Sequence, residues 1–265
     1  MRYVLLGVCM MAMGAGCGGT GPVARVNFEG LPTGAVSDEA IKSLWDDAVW
    51  ASTHGRASIV DDADPARGTV LRVRYPAGTI GPPDNGIQFL VNLPPAEEYW
   101  LSYWLKFEDG FDFRRGGKLP GLTSGGGKFT GGHHPTEGEG WSARYMWTRD
   151  GGAIVYLYSV DMPGHWGEGL RLEDVRFVPG TWHRLTQHIR LNTADNADGV
   201  LEVWFDGTKV YADGTERFRL GGRGAIDSFY FSTFHGGNTT DWAPNVDSAA
   251  RYDDIVITSE PPASP

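Results

Sequence analysis

Short runs of alternating apolar and polar residues, separated by Gly, Pro, Asn and Asp, recur along most of the chain. Such alternation is typical of β-strands with one buried face, and the separating residues mark turns. The pattern predicts ten strands, at Ala24–Phe28, Val70–Tyr75, Ile87–Leu93, Tyr99–Phe107, Ser142–Trp147, Ala153–Val160, Trp182–Leu191, Leu201–Phe205, Ser228–Phe234 and Asp254–Thr258. Helical spacing is found only at Glu39–Ala48.

The composition favours one architecture for these strands. The chain contains 38 Gly and 16 Pro, which suit many turns, and 10 Trp and 12 Phe, which suit the flat core between two stacked sheets. No internal repeat or domain-sized linker interrupts it. We therefore predict an all-β, single-domain β-sandwich of the jelly-roll, lectin-like type over residues 25–260, with a hairpin at Val203–Tyr211 turning on Asp206-Gly207.

The first residues resemble a secretory signal rather than a part of the fold. Arg2 precedes an apolar stretch from Val4 to Met13, and small residues lead to Cys17. We expect residues 1–16 to be a signal, Cys17 to be acylated as in a lipoprotein, and residues 17–24 to form a tether. Gly14 stands where lipoprotein signals usually carry Leu, so cleavage without acylation remains open. We expect an exported protein, held at the cell surface or in the periplasm by attachment of the lipid to the outer membrane, or otherwise secreted.

Charge and cysteine content exclude several function classes. The formal charge of −10 makes nucleic acid an improbable partner, because binding nucleic acid requires a basic surface. Both cysteines, Cys9 and Cys17, precede the predicted domain, which leaves it without a thiol nucleophile, a disulfide or a cysteine metal site. A polyanionic substrate would require a locally basic cleft. We expect a monomer that uses neither a metal nor another cofactor.

The cations do concentrate in one stretch of the sequence. Between positions 114 and 149 lie Arg114, Arg115, Lys118, Lys128, Arg144 and Arg149, with His133 and His134 among them. Residues 111–140 are also rich in glycine and poor in apolar residues, which predicts a long loop. Such loops are usually functional or mobile. We expect the two histidines to face a substrate from this loop, and a merely disordered surface loop is the alternative.

A hairpin follows the basic stretch, and the length of its turn decides which side chains share a face. A two-residue turn would set Arg144 opposite Leu157 and mix polar with apolar residues on both faces. A three-residue turn over residues 149–151, with Gly151 left-handed, sets Arg144 opposite Tyr156 and Ser142 opposite Tyr158. We predict the second register, in which these four residues form a polar quartet on the solvent-facing surface. The alternative is a Tyr–Arg cluster that only stiffens the sheet.

The motifs in this region resemble polysaccharide lyase family 14, which contains alginate and glucuronan lyases with a β-jelly roll. The resemblance spans roughly Val26 to Ile257. It is carried by Gly116-Gly117-Lys118-Leu119-Pro120-Gly121-Leu122, Ser142-Ala143-Arg144-Tyr145-Met146-Trp147, Tyr156-Leu157-Tyr158, Ser232-Thr233-Phe234-His235-Gly236-Gly237 and Trp242-Ala243-Pro244. The chain departs from the family at His235, where an aromatic residue is common, and at Thr123-Ser124, where a Tyr is often found. Both departures bear on the substrate more than on the reaction.

The resemblance implies a lyase that cleaves a uronic-acid polymer by β-elimination. This reaction removes the proton on C5 and expels the oxygen on C4, and it requires a cation at the carboxylate, a base near C5 and an acid near O4. The residues implied as catalytic are Lys118, Arg144, Tyr156 and Tyr158, and we expect Ser142, Arg115, His133 and His134 to bind substrate. Arg144 suits the carboxylate, and we expect it to lower the pKa of a neighbouring phenol. Which of Lys118, Tyr156 and Tyr158 is the base stays open.

Two other functions compete with the lyase. A sandwich glycoside hydrolase needs paired carboxylates, and only Glu137 and Glu139 in the predicted loop offer a weak pair. A carbohydrate-binding module would suit the wealth of Trp and Tyr. A lyase leaves unsaturated ends that absorb ultraviolet light, a hydrolase leaves saturated ends, and a module leaves the polymer uncut.

The predicted quartet also bears on the choice of polymer. In mannuronate and glucuronate the C5 proton and the C4 oxygen leave from the same side of the ring, whereas in guluronate they leave from opposite sides. The quartet lies on one wall, with Lys118 on a loop as the only candidate for the other wall. We therefore expect cleavage of mannuronate- or glucuronate-rich polymers ahead of guluronate blocks.

Overall fold

The computed structural model describes residues 21–263, so the predicted signal at 1–16, the predicted acylation site Cys17 and the first half of the predicted tether lie outside the described residues. The strands within that range are β1 (Ala24–Val26), β2 (Gly34–Ala35), β3 (Ala48–Ser52), β4 (Ala57–Asp61), β5 (Thr69–Tyr75), β6 (Ile87–Ala96), β7 (Glu98–Phe107), β8 (Gly116–Thr123), β9 (Ser142–Thr148), β10 (Ala153–Tyr158), β11 (Glu168–Arg171), β12 (His183–Arg190), β13 (Gly199–Phe205), β14 (Thr208–Glu216), β15 (Ile226–His235) and β16 (Ser248–Thr258). Two short helices, α1 (Asp38–Lys42) and α2 (Gly81–Asp84), accompany them.

The strands form two antiparallel sheets that stack face to face. One sheet runs β14-β13-β12-β7-β16-β5-β4-β2, with β1 beside β16, and the other runs β11-β10-β9-β8-β15-β6-β3. Alternate residues of each sheet point inward and bury a continuous core in which Tyr103, Trp147 and Phe231 are fully covered. The predicted β-sandwich is confirmed.

Each of the ten predicted strands overlaps an observed strand, and the two-residue turn between β13 and β14 is the expected one. Asp206 and Gly207 both have positive φ there, as a tight hairpin of this type requires.

The predicted helix was too long. Helix α1 is capped by the Ser37 side chain and ends at Lys42, because the chain from Ala48 onward pairs as strand β3 with β6.

The prediction of one long loop over residues 111–140 was wrong in its first half. Strand β8 lies inside it and pairs with both β9 and β15, in the middle of the seven-stranded sheet. Its glycines hide the strand signal because glycine has low strand propensity. The packing nevertheless needs them: a Cβ at Gly117 would overlap the Trp147 ring, and one at Gly121 would lie 2.6 Å from the Arg144 Cα.

The outer face of the seven-stranded sheet carries the long connections of the chain. Residues 124–141 join β8 to β9, and residues 159–167 join β10 to β11. These two segments meet where the His134 ring nitrogen lies 3.5 Å from the Val160 carbonyl, and the first also covers β10, since the Gly132 amide donates to the Tyr158 hydroxyl at 3.0 Å. Among residues 21–263, no helix is both long and apolar enough to cross a membrane.

Candidate active site

The β9–β10 hairpin has the predicted register. Arg144 pairs with Tyr156 and Ser142 pairs with Tyr158 across the two strands. The connection over residues 149–151 has Gly151 at φ 81°, in the left-handed region, and the Thr148 amide donates to the Gly152 carbonyl at 2.7 Å to close it. The opposite face supplies buried core residues, which are Trp141, Ala143, Tyr145, Trp147, Val155 and Leu157.

The quartet is directed away from the core, but it was wrongly predicted to be solvent-facing. Arg144 is only 2% exposed, and Ser142 and Tyr158 are fully buried. The segment from β8 to β9 covers them, since Phe129 packs on Tyr158 and its carbonyl accepts the Ser142 hydroxyl at 2.6 Å. Only Tyr156 keeps a partly open side chain.

Lys118 reaches the same face because β8 contains an irregularity. Its pairing with β9 shifts register between Lys118 and Gly121, and as a result Leu119 and Leu122 both enter the core. Lys118 therefore stands on the sheet beside the hairpin rather than on a loop opposite it, and the sequence-based placement was wrong. Its Nζ lies 3.3 Å from the centre of the Tyr156 ring.

These side chains form the floor of a groove of about 640 Å³. Described residues that line it include Lys118, Arg144, Met146, Tyr156, Tyr158 and Tyr230 on the strands, and Trp166, Trp242, Arg115 and Thr130 on the connections. None of the described lining residues is Asp or Glu. The groove therefore combines a basic floor with aromatic walls on a chain whose overall charge is −10, which is the local basic cleft that a polyanion would require.

Lys118 has an environment that disfavours its charged form. Burial and the neighbouring charge of Arg144 hold the pKa of its ammonium well below the usual 10.5. The only hydrogen-bond partner of its Nζ among the described residues is the Met146 sulfur at 2.8 Å, which is a weak acceptor. The lowered pKa favours the neutral amine, which is the form that can accept a proton.

The phenol of Tyr156 lies in an environment that favours its protonated form. Burial, followed by the proximity of Tyr158, raises the pKa of Tyr156 above its usual value, and the charge of Arg144 only partly opposes this. Arg144 does lower the pKa of this phenol, as expected, but burial outweighs its effect and the net shift of Tyr156 is upward. The rings of Tyr156 and Tyr158 meet edge to face at 5.5 Å. Tyr156 is a group that keeps its proton and can donate it.

Arg144 is a buried cation without a carboxylate partner in the described structure. Its Nη1 donates to the Ser232 hydroxyl at 3.1 Å, and its Nε has no hydrogen-bond partner among the described residues. A buried guanidinium in this state is costly unless an anion completes its hydrogen bonds. The position is suited to the carboxylate of a ligand.

The sequence pattern of polysaccharide lyase 14 matches residues 63–255, which is most of the chain and contains every residue described above. The chain belongs to polysaccharide lyase family 14. A search of curated proteins finds no match.

Solved structures agree with this family 14 assignment. The alginate lyase Aly36B is 27% identical, with a TM-score of 0.78 over 89% of this chain and 97% of that one. A variant of Aly36B with a lysine and a tyrosine replaced by alanine, in complex with alginate tetrasaccharide, has 26% identity and a TM-score of 0.79 over 90% and 98%. The alginate lyase from Aplysia kurodai shares the fold, with 22% identity and a TM-score of 0.76 over 91% and 100%.

The residues predicted to bind substrate in this lyase occupy unequal positions. Arg115 lines the groove, packs on Trp242 at 5.0 Å and pairs with Asp241. His133 and His134 lie on the covering segment but do not line the groove, and each contacts a backbone carbonyl. Ser142 lies beneath the groove, where its hydroxyl donates to the Phe129 carbonyl. Direct contact with substrate is therefore available to Arg115 alone in this arrangement.

The two departures from the family pattern lie under the site rather than in it. His235 is fully buried, and its ring stacks on Phe111 at 5.5 Å. Burial lowers the pKa of His235 to about 4, so it packs as a neutral ring. Thr123 and Ser124 are also fully buried and bond to the Trp141 carbonyl. These residues support the sheet and do not contact a ligand in the groove.

Sequence reasoning missed several residues of the lyase groove. Gln88 and Tyr230 come from strands β6 and β15, which the pattern predicted as strands without indicating that they adjoin the hairpin through β8. Trp166 is 57% exposed, and no repeating pattern marks it because it lies in a connection. The available signal was the residue type, since a Trp among Gly, Pro and His is a poor core residue and a good surface for a sugar ring.

Proposed function

We propose that this family 14 lyase cleaves a uronic-acid polymer by β-elimination in the groove above β8, β9 and β10. The single observation that carries the proposal is Arg144, a buried cation with no carboxylate partner among the described residues, beside a lysine whose pKa is lowered. The alginate tetrasaccharide in the Aly36B complex supports an anionic polysaccharide as the substrate. The absence of carboxylates from the described lining gives a hydrolase no acid–base pair.

The reaction assigns a separate task to each side chain. Arg144 binds the uronate carboxylate and stabilises the extra negative charge that appears there when C5 loses its proton. Lys118, as a neutral amine, takes the C5 proton. The electron pair of the C5–H bond forms the C4–C5 double bond, and the bond from C4 to O4 breaks.

Tyr156 is placed to complete the elimination. Its phenol keeps its proton because its pKa is raised, so it can protonate the departing O4. The proton held by Lys118 then returns to the phenolate through the groove that both groups line. Tyr158 positions Tyr156 from below, with its own hydroxyl held by the Gly132 amide.

The location of Lys118 strengthens the expectation about the polymer. Lys118 and Tyr156 project from adjacent parts of one sheet face, so base and acid approach the sugar from the same side. This arrangement fits departure of the C5 proton and the C4 oxygen from one side of the ring, as in mannuronate and glucuronate. We therefore propose polymannuronate, mannuronate-rich alginate or glucuronan as the substrate, ahead of polyguluronate.

One assay tests both parts of the proposal. The same enzyme preparation is incubated with polymannuronate, glucuronan and polyguluronate, and the ultraviolet absorbance of unsaturated uronate is followed, with a Lys118→Ala variant as the control. We expect absorbance to rise first with one of the first two polymers and not at all with the variant. Saturated product ends would contradict a lyase. A preference for polyguluronate would contradict the placement of base and acid on the same side of the sugar.

We also propose that the protein is exported and anchored through a lipid on Cys17. The support is the order of a charge, an apolar stretch and small residues before that cysteine. Expression in a Gram-negative host with labelled palmitate should label the wild-type protein but not a Cys17→Ser variant. Equal labelling of both, or wild-type protein retained in the cytoplasm, would contradict the proposal.

A further inference from the structure

Three polar side chains next to Arg144 form a connected hydrogen-bond network that the proposed reaction does not use. Gln88 on β6 lies directly opposite Ser232 on β15, and Tyr230 is two residues away on the same face. The Gln88 amide nitrogen donates to the Ser232 hydroxyl at 2.9 Å and to the Tyr230 hydroxyl. Arg144 reaches Ser232 across β8, where Gly121 has no side chain to obstruct it.

Arg144, the cation at one end of the network, determines where the hydrogens of the network point. The Ser232 oxygen accepts from both Arg144 and Gln88, which fills its two acceptor sites, so its own hydrogen must be donated. The Ser232 oxygen therefore has no acceptor site left for the Tyr230 hydroxyl. The Tyr230 oxygen in turn accepts from the Gln88 amide nitrogen. The hydrogen of Tyr230 itself has no acceptor within the network and is left for the groove.

Rotation of the Gln88 amide by half a turn does not change this outcome. The amide oxygen would then accept from the Ser232 and Tyr230 hydroxyls, and the amide nitrogen would take the open position. Gln88 is only partly buried and lines the groove, so the amide hydrogens would point there. In either arrangement the pair of Gln88 and Tyr230 presents a donor to the groove beside Arg144, which is the Tyr230 hydroxyl in the first and the Gln88 amide nitrogen in the second.

We propose that the substrate carboxylate binds to Arg144 and to a second hydrogen-bond donor, which the pair of Gln88 and Tyr230 supplies. Ser232 fixes the direction in which that second donor points. This inference rests on the proposed function and deepens it by naming the residues that recognise the acid group. Tyr230 is suited to the task because it is 7% exposed at the floor of the groove, with its ring 5.3 Å from the Arg144 guanidinium carbon. Burial raises the pKa of Tyr230, so the hydroxyl stays protonated.

Binding measurements separate recognition of the acid group from general damage. In a Lys118→Ala background, which does not consume ligand, we compare Tyr230→Phe and Gln88→Met for affinity toward a mannuronate trisaccharide and toward its carboxyl-reduced, neutral counterpart. Tyr99→Phe is the matched control, because Tyr99 lies on β7 in the other sheet and the substitution likewise removes one hydrogen bond, which Tyr99 donates to the Pro94 carbonyl. Thermal unfolding checks that each variant is folded.

We expect at least one of the two variants to bind the uronate trisaccharide about 10- to 100-fold more weakly, the loss for a hydrogen bond to a charged group. Affinity for the neutral trisaccharide should not change, and Tyr99→Phe should change neither. Unchanged uronate affinity in both variants, or equal losses for the two ligands, overturns the inference and leaves the proposed function intact. A folded Lys118→Ala protein that binds neither trisaccharide refutes both.

Discussion

Gly121 offers a direct test of whether the position of Arg144 depends on the close approach of β8 and β9. Gly121 pairs with Arg144 on one side and with Tyr230 on the other. A Cβ added there would lie 2.6 Å from the Arg144 Cα and closer still to the Ala143 carbonyl oxygen. Both obstacles are backbone atoms, so the strands must separate locally in a Gly121→Ala variant.

The expected magnitude follows from that overlap. Forcing an extra carbon into a packed region costs about 1–3 kcal/mol, and a domain of this size loses roughly 2–4 °C of Tm for each kcal/mol. Displacement of Arg144 should reduce kcat further, because misplacing a catalytic group by about 1 Å costs on the order of 100-fold. The variant should therefore be folded, less stable and nearly inactive, although Arg144 and Lys118 are unchanged.

Thermal unfolding and steady-state cleavage of polymannuronate or glucuronan, whichever is the better substrate, measure the two effects. Gly214→Ala is the matched control, since Gly214 lies on strand β14, has ordinary φ and has no atom within 4 Å of an added Cβ. That variant should keep full activity and unfold at the wild-type temperature or slightly above it. Wild-type activity and Tm in Gly121→Ala would refute the argument from close packing.

Two further predictions concern stability and pH. The pKa of Lys118 is lowered on folding, so between the folded-state pKa and 10.5 the unfolded chain holds a proton that the folded protein lacks. The free energy of unfolding therefore rises with pH in that interval. Lys118→Met should raise Tm at neutral pH, and a Tm equal to wild type would contradict this. Burial and nearby Asp213 and Glu168 raise the pKa of Glu216 to about 7 from 4.5, so stability falls as pH rises across that interval. Urea unfolding above pH 7 should show Glu216→Gln more stable than wild type by on the order of 1 kcal/mol, a small value because partial exposure screens the effect. At acid pH the two proteins should be equally stable. The same stability difference at both pH values would contradict the raised pKa of Glu216.

The sequence by itself determined the features that depend on neighbours along the chain. The alternation of apolar residues located ten strands, since one buried face per strand requires that period. The register of the β9–β10 hairpin could also be predicted, because only a three-residue turn keeps Trp147 and Leu157 on one buried face and Arg144 and Tyr156 on the other. The motif around Lys118 indicated the right residue without indicating its place.

Only the tertiary structure decided which distant strands meet and what lies above them. Strand β8 was hidden because its glycines lack strand propensity, and their role is to let Trp147 and Arg144 approach from a neighbouring strand. Burial of Tyr158 and Ser142 likewise comes from a connection that folds back over them. The pKa shifts of Lys118 and Tyr156 follow from that burial, because desolvation depends on everything packed around a group. A local sequence pattern records neither the covering segment nor the strand that brings Gln88 and Tyr230 to Arg144.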